Sequence, residues 1–388
     1  MLRLMFGVVV AALLAAGASA ADDLSYRVET VASGLNNPWS LAFLPDGDML
    51  VTEKYGDLRI LRHGVLDPAP ITGLPPNILK QGDCGLLDIA LDPDFASNRR
   101  VFIAFNEGTA EANHLALFRA TFDGHALSDG MIVFRSAPDK KEPRHSGGRI
   151  LFLSDKTLLL TVSDGFLYRD EAQNLGSDLG KLVRIDRDGQ PPADNPFIGK
   201  PGVRPEIYTW GHRNALGLLC DPRNGDIWLH ENGPKGGDEV NLIKPGLNYG
   251  WPKTTYGIDY SGDQITKFTE LPDVEPPIVV WVPSIAPSGF ALYLGDKFPQ
   301  WKGDFFVGAL AEQSVRRLRI RDHMWTEQEI LLRELHSRIR DVRAGPDGYI
   351  YLLTDADNGQ LLRLVPGRSR AGVTPEASAR HRPPDHDR

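Results

Sequence analysis

The sequence predicts an all-β chain, a six-bladed β-propeller with four-stranded antiparallel blades. Three observations predict it. Gly and Pro are abundant, 39 and 29 of 388 residues, against an average of about 12% for the two together, so turns are frequent and long helices few. A unit of apolar strand, Pro/Asp/Gly turn and second apolar strand recurs six times. No Ser/Gly-rich or charge-run linker interrupts the recurrence, which sets the propeller ahead of its alternative, a pair of β-sandwich domains.

Residues 1–20 read as a secretory signal peptide. Arg3 gives a positive start, and residues 4–18 form an apolar run shorter than the about 20 residues that span a bilayer. Ala18-Ser19-Ala20 is a small-x-small cleavage signal. A retained anchor is the alternative. The mature chain then starts at Ala21 and is periplasmic or secreted, where soluble NAD(H) and ATP are not at hand.

The repeat units follow at 41–52, 87–105, 150–162, 216–229, 288–308 and 341–353. Their turns centre at 45, 93, 154, 222, roughly 299 and 346, a mean spacing of about 60 residues. A minimal blade takes about 40–50, so loops are inserted between strands. The longest irregular stretches, 188–203 and 256–277, read as such insertions. Turn residues supply the positive or fixed φ that a tight reversal needs. Third strands are expected at 58–61, 181–185 and 360–364. The propeller is expected over 21–368, and 369–388 as a disordered tail with almost nothing apolar to bury, where His381 and His386 are solvated.

Charged residues are 24% and hydrophobics 41%, ordinary for a globular protein, which excludes a multi-span membrane protein. A formal charge of −8 argues against a nucleic-acid binder. Two cysteines exclude a disulfide scaffold and a four-thiolate iron–sulfur cluster. No P-loop, Gly-x-Gly-x-x-Gly, His-Glu-x-x-His or Gly-x-Ser-x-Gly is present.

Four clusters carry chemistry. His145 precedes one strand and Asp164 follows the next; a hairpin brings those ends to one side, so the carboxylate can orient the imidazole as a base. A lone structural His is the alternative. Arg213 and Asn214 put a cation and an amide at a strand start. The loop from His230 to Asn241 is short of side-chain bulk, with Glu231, Asp238 and Glu239 nearby. It suits calcium through hard oxygens, or is simply an acidic turn. Arg338 and Arg340 share a face at strand spacing and are shaped for carboxylates; a solvated strand edge is the alternative. In a propeller all four clusters fall at blade ends and can converge at one channel mouth.

The chain resembles the soluble, pyrroloquinoline-quinone-dependent aldose sugar dehydrogenases of the glucose/sorbosone dehydrogenase family. The resemblance spans about residues 27–366. It rests on residues 34–47 and 85–95, on His145-Ser146-Gly147-Gly148-Arg149, Gly211-His212-Arg213-Asn214 and Asn232-Gly233-Pro234, and on Asn248-Tyr249-Gly250-Trp251-Pro252, residues 283–289 and Arg338-Ile339-Arg340-Asp341. It implies a six-bladed propeller with pyrroloquinoline quinone (PQQ) and Ca2+ as cofactors, an aldose as substrate and an external electron acceptor. His145 matches the general base and Asp164 its carboxylate. Arg213, beside Asn214, matches the cation at the quinone oxygen. The Gly233 and Pro234 carbonyls match calcium ligands, and Asp238 an acid supporting their loop. Arg338 and Arg340 match the pair on the cofactor carboxylates. The chain departs from the family at Asp83, where a cofactor-contacting glutamine is common and Gln81 is the substitute, and at Ala311, where some relatives have lysine. Cys220 reads as buried in a strand and Cys84 as a loop residue at the site; the compartment permits a disulfide between them, subject to geometry.

Two other classes stay open. A calcium-dependent propeller hydrolase such as a lactonase has no need of Arg338 and Arg340. A non-catalytic binding propeller has no need of His145, Asp164 and Arg213.

Overall fold

The computed structural model describes residues 26–367, of which Val28–Val365 form one compact unit. The signal peptide expected over 1–20 and the tail expected over 369–388 lie outside the described residues. Six four-stranded antiparallel sheets make six blades. Among the described residues the helical content is one four-residue α-helix, Phe95–Asn98, and three short 3-10 turns.

The innermost strands are Pro38–Phe43, Leu86–Leu91, Gly147–Phe152, Ala215–Cys220, Pro287–Leu292 and Ile339–Ala344, in blades one to six. Each packs against the next, and the sixth against the first, which closes the ring. Blade six takes its outermost strand, Tyr26–Leu35, from the start of the chain and its other three from the end. Buried side chains fill the spaces between sheets: Leu50, Ile60, Ile103 and Phe105 between blades one and two, and Phe102, Leu117, Leu160 and Val183 between two and three. Such burial is the main favourable term, about 1.5–3 kcal/mol per large side chain.

The turn after each innermost strand shows why the repeat is legible. In five blades an aspartate side chain accepts the N–H two residues on: Asp46 from Asp48, Asp92 from Asp94, Asp155 from Thr157, Asp221 from Arg223 and Asp347 from Tyr349. This Asx turn fixes the reversal locally. Blade five lacks the pattern and crosses instead through the 3-10 turn Pro299–Trp301, which matches its degenerate sequence. The insertions 188–203 and 256–277 lie between the third and fourth strands of blades three and four.

At the other end of every innermost strand the register against the second strand slips within the first four residues. Such a bulge bends the strand and re-aims side chains. Threonines hold it in two blades. The Ser40 N–H donates to Thr52 Oγ1 (3.1 Å), whose hydroxyl donates to the Leu87 carbonyl of the next blade (2.6 Å). The Arg149 N–H donates to Thr161 Oγ1 (3.0 Å), which donates to the Ala215 carbonyl (3.1 Å).

Charged side chains meet between the innermost strands. Arg149 pairs with Asp341 (3.0 Å) and Asp88 (3.5 Å). Arg343 pairs with the same two carboxylates (2.8 and 2.7 Å). Ser40 Oγ donates to Asp88 (2.5 Å), and the Ile150 N–H donates to its other oxygen (2.9 Å). Asp88, Arg149 and Asp341 are almost fully buried. Removing one member of a buried ion pair typically costs about 3–5 kcal/mol. Asp88→Ala should therefore lower unfolding stability by about that amount in urea denaturation; a change within about 0.5 kcal/mol, the range of ordinary surface substitutions, would show that the ring does not tie the blades together.

Candidate active site

The bulged strand starts open into a pocket at the mouth of the channel. Its wall takes Trp39 and Lys54 from blade one, Asp83 and Leu87 from the run into and start of blade two, and His145 and Gly147 from blade three. Blade four gives Arg213, Asn214, Leu216, Asn232, Gly233, Pro234 and Tyr260, blade five Ala286 and Leu310, and blade six Arg338 and Arg340.

The His145 loop turns sharply. His145 itself has φ 46°, and Gly147 and Gly148 follow at 76° and 92°. A Cβ on Gly147 would meet the Thr161 carbonyl at 2.6 Å, so only glycine lets the loop lie on the neighbouring strand. His145 Nδ1 donates to Asp164 Oδ1 (2.8 Å). Because an ionised carboxylate only accepts, this bond puts the proton on Nδ1 and leaves Nε2 as a free acceptor. Asp164 is held in turn by the Phe166 N–H on Oδ1 and the Trp251 indole N–H on Oδ2, each at 2.9 Å. The Phe166 ring stands edge-on to the imidazole, 5.0 Å between centroids. Burial lowers the His145 pKa, with Arg213 adding to it, against the pull of Asp164. Burial raises Asp164, but His145, Arg213 and the Phe166 N–H outweigh it and hold the carboxyl below its usual range.

Arg213 is fixed at both ends. Its N–H donates to Glu231 Oε2 (2.5 Å), and its Nη1 donates to the carbonyls of Asn232 (2.9 Å) and Gly233 (2.8 Å). Its guanidinium lies 5.3 Å from the Trp251 ring and 5.8 Å from that of Tyr260. Asn214 Oδ1 accepts from Ser163 (2.7 Å). Asp238 is turned away from the pocket: it accepts from the N–H groups of Gly233 (2.8 Å), Ile285 (2.7 Å) and Ala286 (3.1 Å) and from the Ser284 hydroxyl. Its carboxylate braces the loop whose Asn232 and Gly233 carbonyls accept from Arg213.

Arg338 and Arg340 reach the pocket together because one carboxylate gathers them. Asp355 accepts from Arg338 Nε (2.8 Å) and Arg340 Nη2 (3.0 Å). Burial raises Asp355, but the two arginines outweigh it and keep it ionised. Four cationic side chains, Lys54, Arg213, Arg338 and Arg340, thus face one carboxylate, Asp83, on the pocket wall.

The structure brings His145, Asp164, Arg213, Asn214, Gly233, Pro234, Arg338, Arg340 and Asp83 to one mouth, Asp164 behind His145. It does not bring Gln81 there; that side chain is exposed and off the wall. Ala311 lies in a neighbouring groove, and Leu310 takes its place at the wall. Cys84 and Cys220 are unbonded: Cys84 is buried beside Ser146, whereas Cys220, expected to be buried, is only half-buried because it ends the innermost strand of blade four. Sequence reasoning missed Lys54, Asp355, Trp39, Tyr260 and the role of Trp251. Repeat position was the available signal for two of them. Lys54 and Asp355 each directly follow a second strand, as Asn232 does.

Comparison with known proteins follows the same lines. Residues 35–363 match the protein family described as Glucose / Sorbosone dehydrogenase. The aldose sugar dehydrogenase YliI of Escherichia coli (strain K12) is 40% identical over 356 residues, 89% of this chain and 94% of the relative. A crystal structure of the soluble aldose sugar dehydrogenase (Asd) from Escherichia coli in the apo-form superposes with TM-score 0.85 at 40% identity, over 88% of this chain and all of that one. A structure of the PQQ-bound form of aldose sugar dehydrogenase from Streptomyces coelicolor gives TM-score 0.72 at 29% identity, over 88% of this chain and 98% of that one.

The site makes a claim about protons that needs no cofactor. Followed by histidine NMR in the protein alone, His145 should ionise below the ordinary imidazole value of about 6.5, so the neutral base persists to more acid pH. Asp164→Asn should lower its pKa further, because it removes the charge that opposes burial. A His145 pKa that rises in Asp164→Asn would contradict the pairing.

Proposed function

The chain belongs to the glucose/sorbosone dehydrogenase family, and on that premise we propose that it is a quinoprotein aldose dehydrogenase. It oxidises the anomeric carbon of an aldose to the aldonolactone with PQQ and Ca2+ and passes the electrons to an external acceptor. The observation that carries the proposal is the His145–Asp164 pair opening onto a wall of four cations beside the Gly233-Pro234 loop. The name of the Escherichia coli relative supports the aldose, and the PQQ-bound Streptomyces structure supports the quinone.

The residues present fit both groups. A tri-carboxylate quinone needs several cations on one wall, and Arg338, Arg340 and Lys54 supply them; guanidinium forks suit carboxylates. A guanidinium nitrogen already rests on the Asn232 and Gly233 carbonyls, so these oxygens are placed to accept a cation. Carbonyl oxygens are proper calcium donors. Gly233 and Pro234 would hold the ion, with Asp238 bracing their loop. Asp83 on the same wall is an anion that the four cations must outweigh.

When bound, the o-quinone would supply the hydride acceptor and calcium the Lewis acidity that makes it more electrophilic. His145 Nε2 takes the proton of the anomeric hydroxyl as the C1–H bond breaks. Asp164 keeps the imidazole in the working tautomer and stabilises the imidazolium that forms. Arg213, with Asn214 beside it, offers positive charge where negative charge grows. The leader read in residues 1–20 supports a site for this chemistry outside the cytoplasm.

Reconstitution tests the proposal. Purified protein given PQQ and Ca2+ should reduce a dye with aldoses and lose that activity to a chelator. His145→Ala should lose about 10²–10⁴-fold in turnover while still binding the quinone. Lactone hydrolysis independent of the quinone would mark a hydrolase instead, and failure to bind the quinone at all would mark a binding propeller.

A further inference from the structure

Trp251 sits in the motif Asn248-Tyr249-Gly250-Trp251-Pro252, which the assigned chemistry does not use. It lies between the third and fourth strands of blade four, 87 residues from Asp164, yet its indole N–H ends on that carboxylate of blade three. Its own position is fixed by backbone bonds: its N–H donates to the Gly211 carbonyl (2.9 Å), and its carbonyl accepts from Gln173 Nε2 (2.8 Å). It is almost fully buried, so water does not compete for the indole proton.

The two oxygens of Asp164 are served differently. Oδ1 accepts from His145 Nδ1 and the Phe166 N–H, whereas Oδ2 accepts from the Trp251 indole. A donor on Oδ2 draws negative charge toward itself and away from Oδ1. It thereby weakens the hold of the carboxylate on the imidazole proton. The same ring lies against the Arg213 guanidinium, so one side chain touches both the orienter of the base and the cation opposite it.

We propose that Trp251 is a positioning residue that tunes the basicity of His145 by donating its indole N–H to Asp164. The proposal rests on the assignment of His145 as base, but its test does not require turnover. The charged groups around the pair are Arg213 and Asp83 facing His145, and Arg213 and Lys140 facing Asp164; an isostere of Trp251 keeps a ring against Arg213 and replaces none of these groups. Loss of the N–H makes Asp164 a stronger acceptor, stabilises the imidazolium and raises the His145 pKa. The base is then protonated at higher pH, and the acid limb of the activity profile moves up with it.

The experiment replaces Trp251 with β-(3-benzothienyl)alanine, which keeps the ring shape and puts sulfur where the N–H was, and compares Trp251→Phe. His145 is titrated by NMR in the full chain without cofactor. The expected result is an upward shift of about 0.5 to 1 pH unit in the isostere at unchanged melting temperature. An unchanged His145 titration in the folded isostere overturns the proposal. If the wild type proves to have no sugar dehydrogenase activity, the functional assignment fails while the titration still decides the coupling.

Discussion

The ion pairs among Asp88, Arg149, Asp341 and Arg343 are the constraint on which the site depends. Six radial sheets cannot meet at a point, so their innermost strands leave an axis that side chains must fill. Charge there is costly to desolvate, and mutual pairing has to offset it. The pairs join blades two, three and six, and hydrogen bonds from Ser40 and to the Leu216 carbonyl bring in blades one and four. The ring also touches two residues of the pocket wall. The Arg149 guanidinium lies 4.2 Å from the Trp39 ring, and Trp39 and Leu216 both line the cavity above. The pairs that link the blades thereby also hold part of the pocket wall.

The fold builds the wall largely from two recurring blade positions: the bulged start of the innermost strand and the residues just past the second strand. Trp39, Leu87, Gly147, Leu216 and Arg340 come from the first; Lys54, Gly233 and Leu310 come from the second. Neither position is needed for strand pairing, because the bulge has already broken the ladder there. The propeller can therefore place a base, cations and carbonyl oxygens around one cavity without disturbing its sheets. Cross-blade bonds such as Thr52 to the Leu87 carbonyl keep those positions from moving independently.

How far the sequence discloses this depends on how local each feature is. The blades are legible because each turn is closed within a few residues by its own aspartate, as at Asp46 and Asp347. The His145–Asp164 pair is legible because one hairpin carries both. Arg338 and Arg340 are close in sequence, but their reason for converging, Asp355, is not a neighbour. Trp251 and the axial ring are illegible for the same reason: their partners come from other blades, and no spacing records them. Gln81 shows the opposite limit, since adjacency to Asp83 did not bring it to the wall. Asp238 carries the same lesson: an acid beside a candidate calcium loop spends its carboxylate on backbone N–H groups instead. Resemblance to a family supplies what spacing cannot, but only for positions that the family shares.

The central claim is that this mouth breaks the anomeric C–H bond while His145 takes the hydroxyl proton. Kinetic isotope effects address it directly. With the reconstituted protein, an aldose deuterated at C1 should react more slowly in single turnover than the same sugar deuterated at C2, and lactone should form in step with cofactor reduction. Equal rates for the two labelled sugars, with product formed at full speed, would contradict the account.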